Sequence, residues 1–158
     1  MKQLLSATVI FVGVIVACGT VNATTRTSAL VCQPAGGTVG AQLAMSNYGW
    51  YNSGTADAYI WCGLSTQAGA SPRALTIRVY DRNSNANQDV SCEVWGIDAG
   101  GGTPYHEFFT STGSGGGAQF ITNSVSIATS VNFYAASCKI PQRLSVGNYS
   151  FVTEFAVD

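Results

Sequence analysis

The sequence predicts an all-β protein: an antiparallel two-sheet sandwich, jelly-roll or Greek-key like, with two disulfides. Three observations predict it. The first is the stretch from Leu75 to Trp95. There Leu75, Ile77 and Val79 alternate with Thr76, Arg78 and Tyr80, and Val90, Cys92 and Val94 alternate with Ser91, Glu93 and Trp95. Period-two alternation gives a strand one apolar face for a core and one outward face, so the stretch reads as two strands of a hairpin joined by a polar loop. The second is the pattern after the leader. No segment carries a helical apolar period, and turn residues interrupt short apolar runs at the spacing of a sandwich or barrel. The third is the cysteine count. With Cys18 set aside, Cys32, Cys62, Cys92 and Cys138 form an even set, as expected of an exported domain in an oxidising compartment.

In chain order, Met1–Ala23 reads as a secretory signal. Lys2 gives a positive start, Leu4–Val16 is an apolar run too short to span a bilayer, and Val21-Asn22-Ala23 suits a cleavage site. Residues 24–158 then form a single β-sandwich domain, long enough for a real core. Ile15-Val16-Ala17-Cys18 resembles a lipoprotein cleavage box. Used as one, it lipidates Cys18 and anchors the protein to the outer membrane without a spanning helix. Otherwise Cys18 leaves with the leader and the protein is secreted or periplasmic.

Thr24–Ala29 reads as a flexible mature N-terminus, and Ala29–Cys32 as the start of a first strand ended by Pro34 and Gly36-Gly37. Thr38–Met45 reads as a second strand, Asn47–Asn52 as an aromatic turn, and Ala56–Leu64 as a third strand with Ala58, Ile60 and Cys62 on one face and Tyr59, Trp61 and Gly63 on the other. After the Leu75–Trp95 hairpin, three successive glycines at Gly100–Gly102 break regular structure. His106–Thr112, Ala118–Ile127, Val131–Ile140 and Leu144–Val157 read as the remaining strands. Four cysteines allow three pairings. The sequential one, Cys32–Cys62 with Cys92–Cys138, is expected, each bridge contributing roughly 3.5–4 kcal/mol in the loop-entropy model. The cysteines lack the short spacing of a zinc site.

Composition excludes some functions. Charged residues make up 9% of the chain and the net charge is −1, with lysine only at Lys2 and Lys139. So few cations cannot neutralise a phosphate backbone, so nucleic acid is not an expected partner. No second long apolar run follows the leader, so no membrane span is expected in the mature chain.

Several segments carry a resemblance: Asn47-Tyr48-Gly49 with Asn52, Tyr59-Ile60-Trp61-Cys62-Gly63-Leu64, Val79-Tyr80-Asp81, Val90-Ser91-Cys92-Glu93-Val94, and Ala136-Ser137-Cys138-Lys139-Ile140-Pro141 leading to Tyr149. The arrangement resembles a group of small exported proteins of Gram-negative bacteria. Those proteins often carry Cys-Pro-Leu where this chain has Cys62-Gly63-Leu64. The resemblance implies a two-disulfide β-sandwich and implies no reaction.

The chain is expected not to be an enzyme and to need no cofactor. The single histidine, His106, would have to work with Ser111 or Ser114 and Asp98, but no G-x-S-x-G elbow exists. Glu93, Glu107 and Glu154 fall on expected strands, where solvated faces are the ordinary reading of carboxylates. The glycine runs precede no lysine and open no helix, unlike a phosphate-binding loop. Asp81, Asn83, Asn85, Asn87 and Asp89 place an oxygen side chain at every second position, the alternation with which a calcium loop wraps its ion. Ala86 and Cys92 depart from the EF-hand pattern, and the same residues make an ordinary polar turn. Aromatic residues give the binding reading. Trp50, Tyr51, Tyr80 and Trp95 are the candidate ring platform for a glycan, with another exported protein as the other partner class. The alternative is a structural subunit of an extracellular coat, matrix or fimbria-like assembly. The second disulfide, and Val157 where fimbrial subunits carry a penultimate tyrosine, count against the fimbrial form.

Overall fold

The computed structural model describes residues 25–36, 42–64, 73–82, 88–112, 118–125, 131–143, 145 and 148–157. The leader with Cys18, the loop residues Asn83, Asn85 and Asn87, and Ser114 lie outside the described residues. The strands are β1 (Thr25–Ser28), β2 (Gln33–Pro34), β3 (Leu43–Ser46), β4 (Gly49–Asn52), β5 (Ala58–Leu64), β6 (Arg73–Tyr80), β7 (Ser91–Asp98), β8 (Tyr105–Thr110), β9 (Ala118–Val125), β10 (Val131–Ile140) and β11 (Phe151–Val157). They pair antiparallel into two sheets. Sheet A runs β3-β4-β11-β6-β9 with β1 also on β11, and sheet B runs β2-β5-β10-β7-β8. The expected two-sheet sandwich is the fold.

Alternation builds the core. In β5, Ala58, Ile60, Cys62 and Leu64 are buried while Tyr59, Trp61 and Gly63 are exposed. Leu75, Ile77 and Val79 of β6 meet Cys92, Val94, Ala136, Cys138 and Ile140 of sheet B in one cluster with Phe109, Val152 and Phe155. The register shifts in β11 between Val152 and Glu154. The extra residue re-phases the strand, so Val152 and Phe155 both reach the core despite their odd spacing.

Both disulfides take the expected pairing, Cys32–Cys62 and Cys92–Cys138. Cys92 and Cys138 are direct cross-strand partners on β7 and β10, strands that neighbour in the sheet though not in sequence. Two buried polar residues pin the sheets together. Asn52 donates from Nδ2 to the carbonyls of Ala56 (2.7 Å) and Ile140 (3.0 Å) and accepts from the Gly54 amide at 2.8 Å. Asp81 accepts from the hydroxyls of Ser111 and Ser150, the latter at 3.1 Å.

Four local expectations are corrected. The Leu75–Trp95 stretch is not a hairpin: β6 belongs to sheet A and β7 to sheet B. Alternation fixes which face is apolar and not which neighbour the strand pairs with, and two strands facing one core satisfy it as well as a hairpin does. The supposedly flexible N-terminus forms β1 from Thr25, held on β11 by pairing and by an Arg26–Glu154 ion pair at 2.9 Å. Ala29–Val31 is a turn of 3-10 helix, started by the Ser28 side chain accepting from the Leu30 amide, and not a strand. Gly49–Asn52, read as a turn, is strand β4 in a hairpin with β3.

Candidate functional site

The outer face of sheet B carries an aromatic row. Alternation on β5, β7 and β8 puts Tyr59, Trp61, Trp95, His106 and Phe108 outside, while β10, which runs between β5 and β7, presents Ala135 and Ser137. Ser137 is paired with Trp61 on one side and Glu93 on the other, and Ala135 with Gly63 and Trp95. Small side chains on the middle strand let indoles from the flanking strands lean together over it. Trp61 and Trp95 stack at 5.5 Å between ring centroids, 13° from parallel. Trp95 stacks in turn on its cross-strand partner His106, at 5.5 Å and 7°. His106 meets Phe108 at 4.8 Å in a tilted contact. Offset pairs at these distances contribute about 0.5–1.5 kcal/mol each beyond area burial, so the rings hold one another in place. They remain wet: Tyr59 is 41% exposed, Trp61 49% and Phe108 61%.

Two depressions flank the Trp61–Trp95 pair. The first, about 250 Å³, is lined by Tyr59, Ser91, Glu93, Phe108, Ser137 and Lys139. It crosses the strands from Tyr59 on β5 to Phe108 on β8, with an aromatic ring at each end and polar groups between. Lys139 Nζ is 3.9 Å from Asp57. Glu93 sits between Ser137 and Phe108 in register and makes no ion pair among the described residues. The second depression, about 300 Å³, lies toward β2 and is lined by Val31, Gln33, Trp61, Gly63 and Ala135.

The four expected platform residues do not come together. Trp95 lies in the row on sheet B. Trp50 is 9% exposed and belongs to the core cluster. A residue of a strand and not of a turn, it takes the inward phase beside Val152, so the reading of Trp50 as an exposed ring is corrected. Tyr51 and Tyr80 lie on sheet A and pack on Phe151 from either side, at 5.3 and 6.4 Å. Tyr51 also meets Tyr149, and Arg78 lies over the rings of Tyr80 and Phe120 at 5.8 and 5.3 Å. Trp61 and Phe108 belong to the row although neither was among the four expected residues. Trp61 was legible, since its strand already placed it outward. Phe108 required the β7–β8 pairing that brings it beside Glu93.

The remaining candidates serve other ends. His106 is part of the aromatic row. Asp98 Oδ1 accepts from the amides of Gly100 (2.9 Å) and Gly102 (2.7 Å), ordering the glycine turn. Ser111 is buried, donates to Asp81, and accepts from the Val90 amide at 2.9 Å. These three groups therefore sit in separate settings. Of the alternating oxygen series, Asp81 is fully buried and Asp89 half-buried. Among the described residues no cluster of three or more His, Cys, Asp or Glu side chains is arranged to hold a metal. Among them too, no helix is long and apolar enough to cross a membrane.

No family model and no curated protein matches the chain. Among solved structures it is similar to a xylan-binding module CBM15, at 5% identity and a TM-score of 0.45, covering 85% of this chain and 96% of that one. It is also similar to part of an Arthrobacter globiformis T6 isomalto-dextranase complexed with panose, at 12% identity and a TM-score of 0.46, covering 85% of this chain and 23% of that one.

Proposed function

We propose that the outer face of sheet B is a carbohydrate-binding surface, and that the protein is an exported, non-catalytic sugar-binding module. One observation carries the reading: the outward row Trp61–Trp95–His106–Phe108 ends at Phe108 in a polar depression that also holds Glu93 and Lys139. A pyranose ring has an apolar C–H face and a rim of hydroxyls. Exposed aromatic surface suits the first, and a few fixed polar groups suit the second. Glu93 accepts from hydroxyls, Lys139 donates to them, and Ser91 and Ser137 do either. The leader and the two bridges support export into an oxidising compartment.

The edges of sheet B argue against strand-to-strand assembly through that sheet. Edge strand β8 carries the exposed Glu107 opposite Val94, and edge strand β2 is two residues long and ends in Pro34. Charge and proline at an edge discourage strand-to-strand assembly.

A glycan array probed with the mature protein tests the proposal. Binding should weaken about tenfold or more, about 1.4 kcal/mol, in Trp61→Ala and Trp95→Ala and be retained in Tyr80→Ala. Array-wide silence together with concentration-dependent light scattering would reject the module and favour assembly.

A further inference from the structure

We infer that the depression at Gly63 is a second sugar subsite of this same surface, and that Gly63 is the residue that keeps it open. The inference rests on the reading of sheet B as a sugar-binding face and names what that face takes: a neutral oligosaccharide with one unit on each side of Trp61.

Gly63 needs an explanation that the fold does not supply. It lies inside β5, where glycine weakens a strand relative to a residue with a side chain. Its φ is not among the positive values, which among the described residues occur at Gly36, Gly49 and Gly101. Packing among the described residues does not demand it either: a Cβ built on Gly63 meets none of them within 4 Å. Neither backbone conformation nor crowding calls for glycine here. What its missing side chain does provide is floor space in the depression of about 300 Å³ bounded by Val31, Gln33, Trp61 and Ala135.

That space adjoins the proposed surface through Trp61, which stacks on Trp95 and also walls the depression. Its other side chains are chemically simple. Gln33 offers an amide that both donates and accepts, Val31 and Ala135 are apolar, and among the described residues no charged one lines it, which suits an uncharged sugar unit. Strand β2 pairs with β5 only at Trp61 and Ile60. Beyond Trp61 no strand among the described residues pairs with this edge of β5, where Val31 and the Cys32–Cys62 bridge lie. A chain seated in both depressions passes over the Trp61–Trp95 pair.

The test is calorimetric titration with monosaccharides through hexasaccharides of the gluco-, xylo-, manno- and galacto- series. The proteins are wild type, Gly63→Val, Gln33→Ala and Trp95→Ala. Wild type should bind longer members more tightly. Gly63→Val should flatten that length dependence, weakening the hexasaccharide about tenfold while leaving the shortest bound member unchanged, and should melt no lower than wild type because β-branched residues suit strands. Gln33→Ala should act in the same direction, which keeps the test decisive if Gly63→Val folds poorly. Trp95→Ala should weaken every length. Unchanged length dependence in both Gly63→Val and Gln33→Ala, with binding still lost in Trp95→Ala, would overturn the subsite and leave the surface standing. No binding by wild type to any member would overturn both.

Discussion

Replacing Asp81 should be among the most destabilising single changes in this domain. Asp81 is 0% exposed at the end of β6. Its Oδ2 accepts from the Ser111 hydroxyl and, at 3.4 Å, from the Val90 amide, and its Oδ1 accepts from the Ser150 hydroxyl at 3.1 Å. Ser111 follows β8 of sheet B and Ser150 precedes β11 of sheet A, so one carboxylate ties the two sheets. Hydrogen bonds to a charged group contribute about 1.5–3 kcal/mol each. Losing the two hydroxyl contacts in Asp81→Ala therefore costs about 3–6 kcal/mol, against a total of about 5–15 kcal/mol for a domain. The serines stay held as acceptors, Ser111 from the Val90 amide and Ser150 from the Arg82 amide, while their own hydroxyl protons lose their acceptor. Asp81→Asn keeps the shape and half the acceptors, so its cost should be about half. Ser111→Ala should cost less than Asp81→Ala, and the double variant less than the sum, because the two share a bond. Urea unfolding of the oxidised protein, fitted with unchanged slope, reads these values. An Asp81→Ala variant within about 0.5 kcal/mol of wild type would refute the claim that this carboxylate locks the sheets.

Two further predictions follow from single residues. Burial, followed by the charge of Glu107 and then Tyr134, pushes the Tyr105 phenol from 10.0 up to about 12. The unfolded chain therefore loses this proton first, so folding is unpenalised below pH 10 and is progressively penalised between about pH 10 and 12; Tyr105→Phe should reduce the alkaline fall in melting temperature. Its hydroxyl has no hydrogen-bond partner among the described residues, so the same variant should be neutral or stabilising at pH 7. Gly49 has φ of +135° and a Cβ there would run into the Val152 carbonyl, so Gly49→Ala should cost about 2–4 kcal/mol by urea unfolding.

Much of the fold was legible because it depends on rules that act locally. Period two in Ala58–Leu64 fixed which side chains of β5 are buried, and an even cysteine set in an exported chain pointed to two bridges. Strand partners were less legible. Leu75–Tyr80 and Ser91–Trp95 show their apolar faces clearly, yet nothing in either says that the chain crosses between sheets before Ser91. The N-terminal strand was hidden for a related reason: Thr25–Ser28 has no apolar signature, and its pairing with β11 comes from the far end of the chain. The site was half legible. Trp95 was picked out beside Glu93, and Trp61 stood on an outward face. Their meeting depends on Ala135 and Ser137 lying between them, a fact of sheet order. Trp50 misled because Asn47-Tyr48-Gly49 looks like the start of a longer turn, whereas the turn ends at Gly49 and Trp50 enters a strand with its ring in the core.

The most direct measurement uses the indole N–H signals of the three tryptophans in a heteronuclear NMR titration. Each is assigned by single Trp→Phe variants, and the titrant is the best-bound neutral oligosaccharide from the array. Trp61 and Trp95 should shift saturably, together with the backbone amides of Glu93, Phe108 and Ser137, while Trp50 and the Tyr51–Phe151–Tyr80 face stay still. Shifts centred on Trp50 or on sheet A, or no saturable shift at all, would contradict the proposed surface on sheet B.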